Sequence, residues 1–207
     1  MGAHRAGRRI TLDGVRIFLA GATGVIGIRL VPLLIAAGHE VAGMTRSPDK
    51  AGALRAAGVE PVVVDVYDPA ALSAAVVAYA PDLVMHQLTD LPNDPARLDA
   101  ARANNARIRT EGTGNLIAAA VAAGTKRFLA QSVAFEPAVS SPAVREHEAA
   151  VLAIDGVVVR YGEFYGPGTY YENELPGHPR IHVDQAAART IPLLDVPSGV
   201  VIVADEP

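Results

Sequence analysis

Gly21-Ala22-Thr23-Gly24-Val25-Ile26-Gly27 stands directly behind the apolar run 15–20 and directly ahead of an apolar helical pattern. Three glycines spaced this way between a strand and a helix allow a tight turn, close approach of backbone to a pyrophosphate, and tight packing of helix on strand. The helix that begins there points unpaired N–H groups at whatever lies over its start, which favours phosphate. Gly21, Thr23, Gly24, Val25, Ile26 and Gly27 thus read as the phosphate turn of a dinucleotide site. A glycine-rich turn of some other α/β protein is the alternative, and the rest of the chain has to decide between them.

Outward from that turn, short β-branched runs alternate with alanine-rich helical patterns, the arrangement of right-handed βαβ crossovers and a parallel sheet. The pattern predicts strands at 15–20, 40–45, 61–65, 83–86, 127–132, 157–161 and 200–204. It predicts helices over 25–37, 48–57, 69–78, 95–123 and 144–154. Three of these stop at Gly38, Gly58 and Gly124, following the C-terminal glycine rule. The fold class is therefore α/β, a doubly wound parallel sheet of Rossmann type. Residues 14–207 read as one domain behind a basic leader, residues 1–13. Residues 162–207, rich in Gly and Pro, read as a reduced substrate-side segment better suited to covering a site than to forming a core.

The 207 residues fit one ordinary domain. A formal net charge of -4 gives no general attraction to nucleic acid or to an anionic membrane surface. The absence of cysteine excludes thiolate catalysis, cysteine-ligated metal and disulfides, and agrees with a cytoplasmic protein. No apolar stretch is long enough for a spanning helix. Arg8-Arg9 ahead of an apolar run resembles an export signal, but the run breaks at Gly21, so the arm reads as solvated. Neither a Gly-x-Ser-x-Gly elbow nor a Gly-Lys-Ser/Thr sequence occurs, which leaves no sign of an α/β-hydrolase or a P-loop NTPase. His178 and His182 are four apart, but Pro176 and Pro179 oppose a helix there, and no metal site is expected.

Other candidate residues fall at predicted strand ends, where an open α/β sheet binds its ligand. Thr45-Arg46-Ser47 ends the second strand without an acid until Asp49. Arg46 suits an added 2′-phosphate, so NADP is preferred and NAD remains possible; a solvated surface arginine is the alternative. Asp65 and Val66 are placed to meet the adenine ring, although Asp65 equally suits a helix cap. His86, Gln87 and Leu88 should line the groove beside the nicotinamide ribose. Arg109, on the polar side of the long helix with Arg102 and Arg107, is read as solvated or near that groove.

These stretches, with RTEGTGNLIAAAVAAG from Arg109, RFLAQSVAF from Arg127, VVVRYGEFYGPGT from Val157, IHVDQAA from Ile181 and the final VIVADEP, resemble the extended and atypical short-chain dehydrogenase/reductase superfamily, in its epimerase/dehydratase-like branch. The resemblance implies that Ser132 holds the substrate oxygen, and that a tyrosine followed four residues later by a lysine moves the proton. An unassisted phenol, with a pKa of about 10, is too weak a base for that at neutral pH. If Glu148 matches the acid that follows the family's lysine, the tyrosine position falls at Ser140 and the lysine position at Val144. The only lysines are Lys50 and Lys126, and neither follows Ser132. The stretch between Val133 and Val157 is also shorter than in relatives, and the chain reads as a reduced member.

His147 titrates near neutrality and is a weak substitute for the missing relay, against a solvated helix position in Glu146-His147-Glu148. Tyr161 and Tyr165 come from a strand end beside the groove, but the resemblance makes Tyr165 and Pro167 a structural turn, so core or turn packing is the favoured reading. Two functions follow: an NAD(P)-dependent oxidoreductase or epimerase/dehydratase-like enzyme acting on a small-molecule carbonyl or alcohol, or a catalytically impaired NADP-binding sensor or interaction protein. Relatives of this fold pair through two long helices, here 95–123 and 144–154, and shortening of the second leaves either a monomer or a homodimer.

Overall fold

The computed structural model describes residues 14–91 and 98–206. The basic leader and the first residues of the predicted long helix, 95–97, lie outside the described residues.

Seven parallel strands form one sheet: β1 Arg16–Ala20, β2 Glu40–Thr45, β3 Glu60–Val63, β4 Leu83–His86, β5 Arg127–Val133, β6 Val157–Tyr161 and β9 Gly199–Val203, in the order β3-β2-β1-β4-β5-β6-β9. The order reverses beside β1, which pairs with β2 on one side and β4 on the other. That reversal opens a crevice at the carboxyl ends of the strands, where such sheets bind ligands. Alternation of side chains sends Ile17 and Leu19 to one face and Phe18 and Ala20 to the other, and all four are fully buried. Ile17 and Leu19 meet Leu30 and Leu34 of α1 Gly27–Ala36. Phe18 and Ala20 meet Leu72 and Val76 of α3 Pro69–Tyr79 and Leu116 of α5 Thr113–Ala122. Each of the larger side chains, Ile17, Phe18, Leu19, Leu30, Leu34, Leu72, Val76 and Leu116, stabilises the fold by roughly 1.5–3 kcal/mol on burial.

Elsewhere α2 spans Ala51–Ala56 after a 3-10 turn, α4 spans Leu98–Arg107, and α6 spans Pro142–Ala153. The predicted long helix is continuous from α4 to α5 but passes through a π-helical turn at Ile108–Gly112. Such wide turns often sit at functional sites. Ile108, Arg109, Gly112 and Thr113 all face inward there.

The tail differs from its sequence reading. It forms β7 Glu163–Tyr165, β8 Arg180–His182 and α7 Val183–Thr190. Ile181, Ala186, Ala187 and Leu194 join the core on the α1 side of the sheet. Short elements interrupted by Gly and Pro show too few periods to be seen in the sequence, yet Ile181, Val183, Ala186 and Ala187 are fully buried. His182 caps α7, its Nδ1 accepting the Asp184 N–H at 3.3 Å, and so does not face His178 along a helix.

Candidate nucleotide and substrate site

The turn after β1 has Gly21 at φ +93°, where a Cβ would stand 2.7 Å from the Gln87 carbonyl oxygen. Only glycine fits that position without strain. Gly24 N–H donates to the Gly21 carbonyl at 3.0 Å and closes the turn. A Cβ on Gly27 would collide with the Gly21 oxygen, so Gly27 sits beneath the turn rather than in the groove. Among the described residues, the N–H groups of Val25 and Ile26 have no acceptor. Together with the positive end of α1 they form a cradle that fits a diphosphate.

The cradle opens into a cavity of about 680 Å³. Gly21, Thr23, Gly24, Val25 and Ile26 line it at the turn, Arg46, Asp65 and Val66 just past the ends of β2 and β3, and Gln87, Leu88 and Ser132 at the ends of β4 and β5. The structure thus gathers eleven of the residues nominated from sequence around one space. Arg46 lies at its rim, only 3.4 Å from Asp90 and largely exposed, with Lys50 and Arg102 also lining this end. The Asp65 carboxylate accepts the Tyr67 N–H at 3.0 Å, while Asp68 caps α3.

Two nominated histidines are elsewhere. His86 and His147 are each 1% exposed and stand behind the groove, their rings edge to face at 5.3 Å. Their hydrogen bonds fix both tautomers. His147 Nε2–H donates to the Gln131 carbonyl at 2.9 Å, so its Nδ1 accepts the Thr113 hydroxyl at 2.7 Å. With that proton committed, His86 Nε2–H donates to Thr113 Oγ1 at 3.0 Å, and His86 Nδ1 accepts the Leu88 N–H at 3.2 Å. The chain of bonds holds the end of β4 to the end of β5. Burial, then the Arg109 charge, lowers His147 to about 4, and burial with His147 and Arg109 lowers His86. His147 is therefore neither a solvated helix residue nor a group facing the cavity. His86 supports the groove wall and does not line it.

Ser132 is buried and donates to Glu148 Oε1 at 2.5 Å. Arg160 donates to the same carboxylate at 2.9 and 2.5 Å. Burial pushes the Glu148 carboxyl up, but bonds from Arg160 and Ser132 outweigh it and leave the group below the usual carboxylate range. An ionised Glu148 holds the Ser132 proton, so Ser132 faces the cavity as a hydrogen-bond acceptor.

Neither position assigned to the missing pair supplies the chemistry: exposed Ser140 donates to Glu136, and Val144 is buried in α6. Tyr161 is buried with its hydroxyl 2.6 Å from Thr190 Oγ1, and burial raises its pKa. The Tyr165 hydroxyl donates to Asp205. Sequence reasoning passed over Phe135, Glu163, Tyr170 and Tyr171, which line the cavity. Phe135 and Glu163 fall inside the quoted RFLAQSVAF and VVVRYGEFYGPGT stretches, which marked the family without marking these two side chains, and Tyr170 and Tyr171 lie beyond any quoted stretch. Burial raises the Glu163 carboxyl, the acid at this end of the cavity.

Residues 21–153 match the NAD(P)H-binding family. The chain belongs to this family. Among its relatives, a 3-diazoavenalumate denitrifying reductase from Streptomyces sp is 41% identical over a 189-residue alignment that takes in 77% of this chain. The chain spans 60% of that relative's length. The family fold recurs in a short-chain dehydrogenase from Burkholderia cenocepacia in complex with NADP, with TM-score 0.76, 16% identity, and 95% of this chain and 90% of that one covered. It recurs in the Bordetella bronchiseptica enzyme WbmG in complex with NAD, with TM-score 0.71, 21% identity, and 94% and 74% covered. The NAD(P)H-binding chain thus has the short-chain dehydrogenase/reductase fold that its motifs imply. Among the described residues, no helix is long and apolar enough to cross a membrane.

Proposed function

We propose that this protein is an NADP-preferring reductase of a small organic substrate. The reading is carried by one continuous cavity that joins the Gly21 cradle, the Arg46 rim and Ser132. When bound, the nicotinamide supplies the hydride. The Val25 and Ile26 amides hold the diphosphate, and Arg46 pairs with the 2′-phosphate, supported by Lys50. Ser132 accepts a hydrogen bond from the substrate or the carboxamide. Glu163, which with Asp65 is one of the two carboxylates lining the cavity and is the one that burial raises, takes the proton-donating place that tyrosine and lysine fill in relatives. The cysteine-free chain and a reducing nucleotide pool suit the cytoplasm.

The test is a fluorescence titration with NADPH and NADH beside turnover on a panel of aldehydes, ketones and a diazo compound, the last because the Streptomyces relative is named for one. NADPH should bind more tightly than NADH, and Arg46→Ala should weaken NADPH by about tenfold while sparing NADH. Equal affinities unmoved by Arg46→Ala would overturn the NADP preference. The absent tyrosine and lysine favour a second reading, a nucleotide-binding protein without turnover. NADPH binding with no oxidation across the panel would select it.

A further inference from the structure

Arg109 is 5% exposed, lines the cavity, and among the described residues its guanidinium makes no hydrogen bond. A buried guanidinium carries five N–H donors and is unfavourable unless they find acceptors. Glu148 acts on it through charge, but that carboxylate is already held by Arg160 and Ser132. Burial lowers Arg109 to about 10, leaving it a cation at neutral pH. His86 and His147, which join the ends of β4 and β5, both feel its charge, and so does Glu148, the carboxylate that Ser132 bonds. The π turn sets it there by turning Ile108 and Arg109 inward together. Phe135, Tyr170 and Tyr171 supply flat apolar walls to the same space, the last two packed edge to face at 4.8 Å.

We propose that Arg109 receives the carboxylate of a small aromatic substrate whose ring lies against Phe135, Tyr170 and Tyr171. This rests on the reductase reading only in taking the cavity as the substrate site. A planar guanidinium matches a carboxylate through two parallel hydrogen bonds, and the ring replaces water on the aromatic walls.

Ligand-observed NMR with benzoate, benzamide and acetate, on the protein with and without NADP, tests it without requiring turnover. Benzoate should bind about tenfold or more tightly than benzamide, which is isosteric but neutral, and more tightly than acetate, which lacks the ring. Arg109→Met should abolish the preference for benzoate over benzamide and leave NADP affinity unchanged, and Arg109→Lys should retain part of it. Equal binding of benzoate and benzamide to the unmodified protein, or failure of both to bind, overturns the proposal even if the Met variant does not fold. Benzoate no tighter than acetate overturns the aromatic assignment. A protein that fails to bind NADP but discriminates benzoate from benzamide overturns the reductase reading and keeps this one.

Discussion

At Gly27, a single methyl group decides whether the phosphate turn can close. The Cβ of an alanine there would press on the Gly21 carbonyl, which is backbone and already accepts the Gly24 N–H. Relief requires α1 to back away from β1, or the turn to open toward the groove. Gly27→Ala should therefore lower stability by about 1–3 kcal/mol and weaken nucleotide binding at the same time. Gly52, in α2, is the control: a Cβ there meets nothing within 4 Å, and the position is helical and exposed. Gly52→Ala should stabilise by up to about 1 kcal/mol, because alanine is the better helix former. Urea denaturation and an NADPH titration on both variants check this. A Gly27→Ala protein as stable and as tight as its parent would refute the role given to the turn.

The α5 and α6 helices meet through a polar seam, Thr113 to His147, that behaves as one element. Its folded state keeps His147 neutral, with a pKa of about 4 against 6.5 for the ordinary side chain. Between these values the unfolded chain binds the proton and the folded chain does not. Stability should therefore fall as pH drops from 6.5 toward 4, by about 3 kcal/mol from this group, and show no further loss from it below that. His86 is displaced in the same direction and adds to the slope. His147→Asn should show a shallower decline between pH 7 and pH 4.5 in urea denaturation; an unchanged slope would remove His147 as its origin. The seam also shows what could be read from sequence. Strands β1, β2, β4 and β6 and the turn after β1 were legible because glycine spacing and β-branched runs report backbone directly. His147 was not, because the run Glu146-His147-Glu148 looks solvated by composition. The legible signal lay in spacing: Val144, His147, Glu148 and Val151 repeat at helical intervals and form the buried face of α6. The π turn was invisible because the residues around Arg109 keep helical composition throughout, so a wide turn and a regular one read alike.

Across the whole molecule, the tail is joined to the phosphate turn through one side chain. Arg29 of α1 donates to the Val25 carbonyl at 2.7 Å, to the Pro167 carbonyl at 2.5 Å and to Asp184 of α7 at 2.5 Å. It thereby connects the start of α1, which holds the diphosphate in the proposed function, to the segment whose Tyr170 and Tyr171 wall the cavity. Arg29→Ala should cost about 1–3 kcal/mol, since three charge-assisted bonds vanish from a guanidinium that is mostly buried. The loss should appear first as faster amide exchange in residues 166–171, with β1 and β4 unaffected, because those strands sit in the core. Nucleotide affinity should drop as well, through the loosened Val25 carbonyl. Asp184→Ala separates the two halves of this argument. Its carboxylate is 60% exposed, so removing it takes away a surface ion pair of little worth while leaving Arg29 bound to both carbonyls. If Asp184→Ala loosens 166–171 as much as Arg29→Ala does, the ion pair rather than the carbonyl clamp holds the tail. If neither variant changes exchange there, the core residues Ile181, Ala186 and Ala187 alone suffice to dock it.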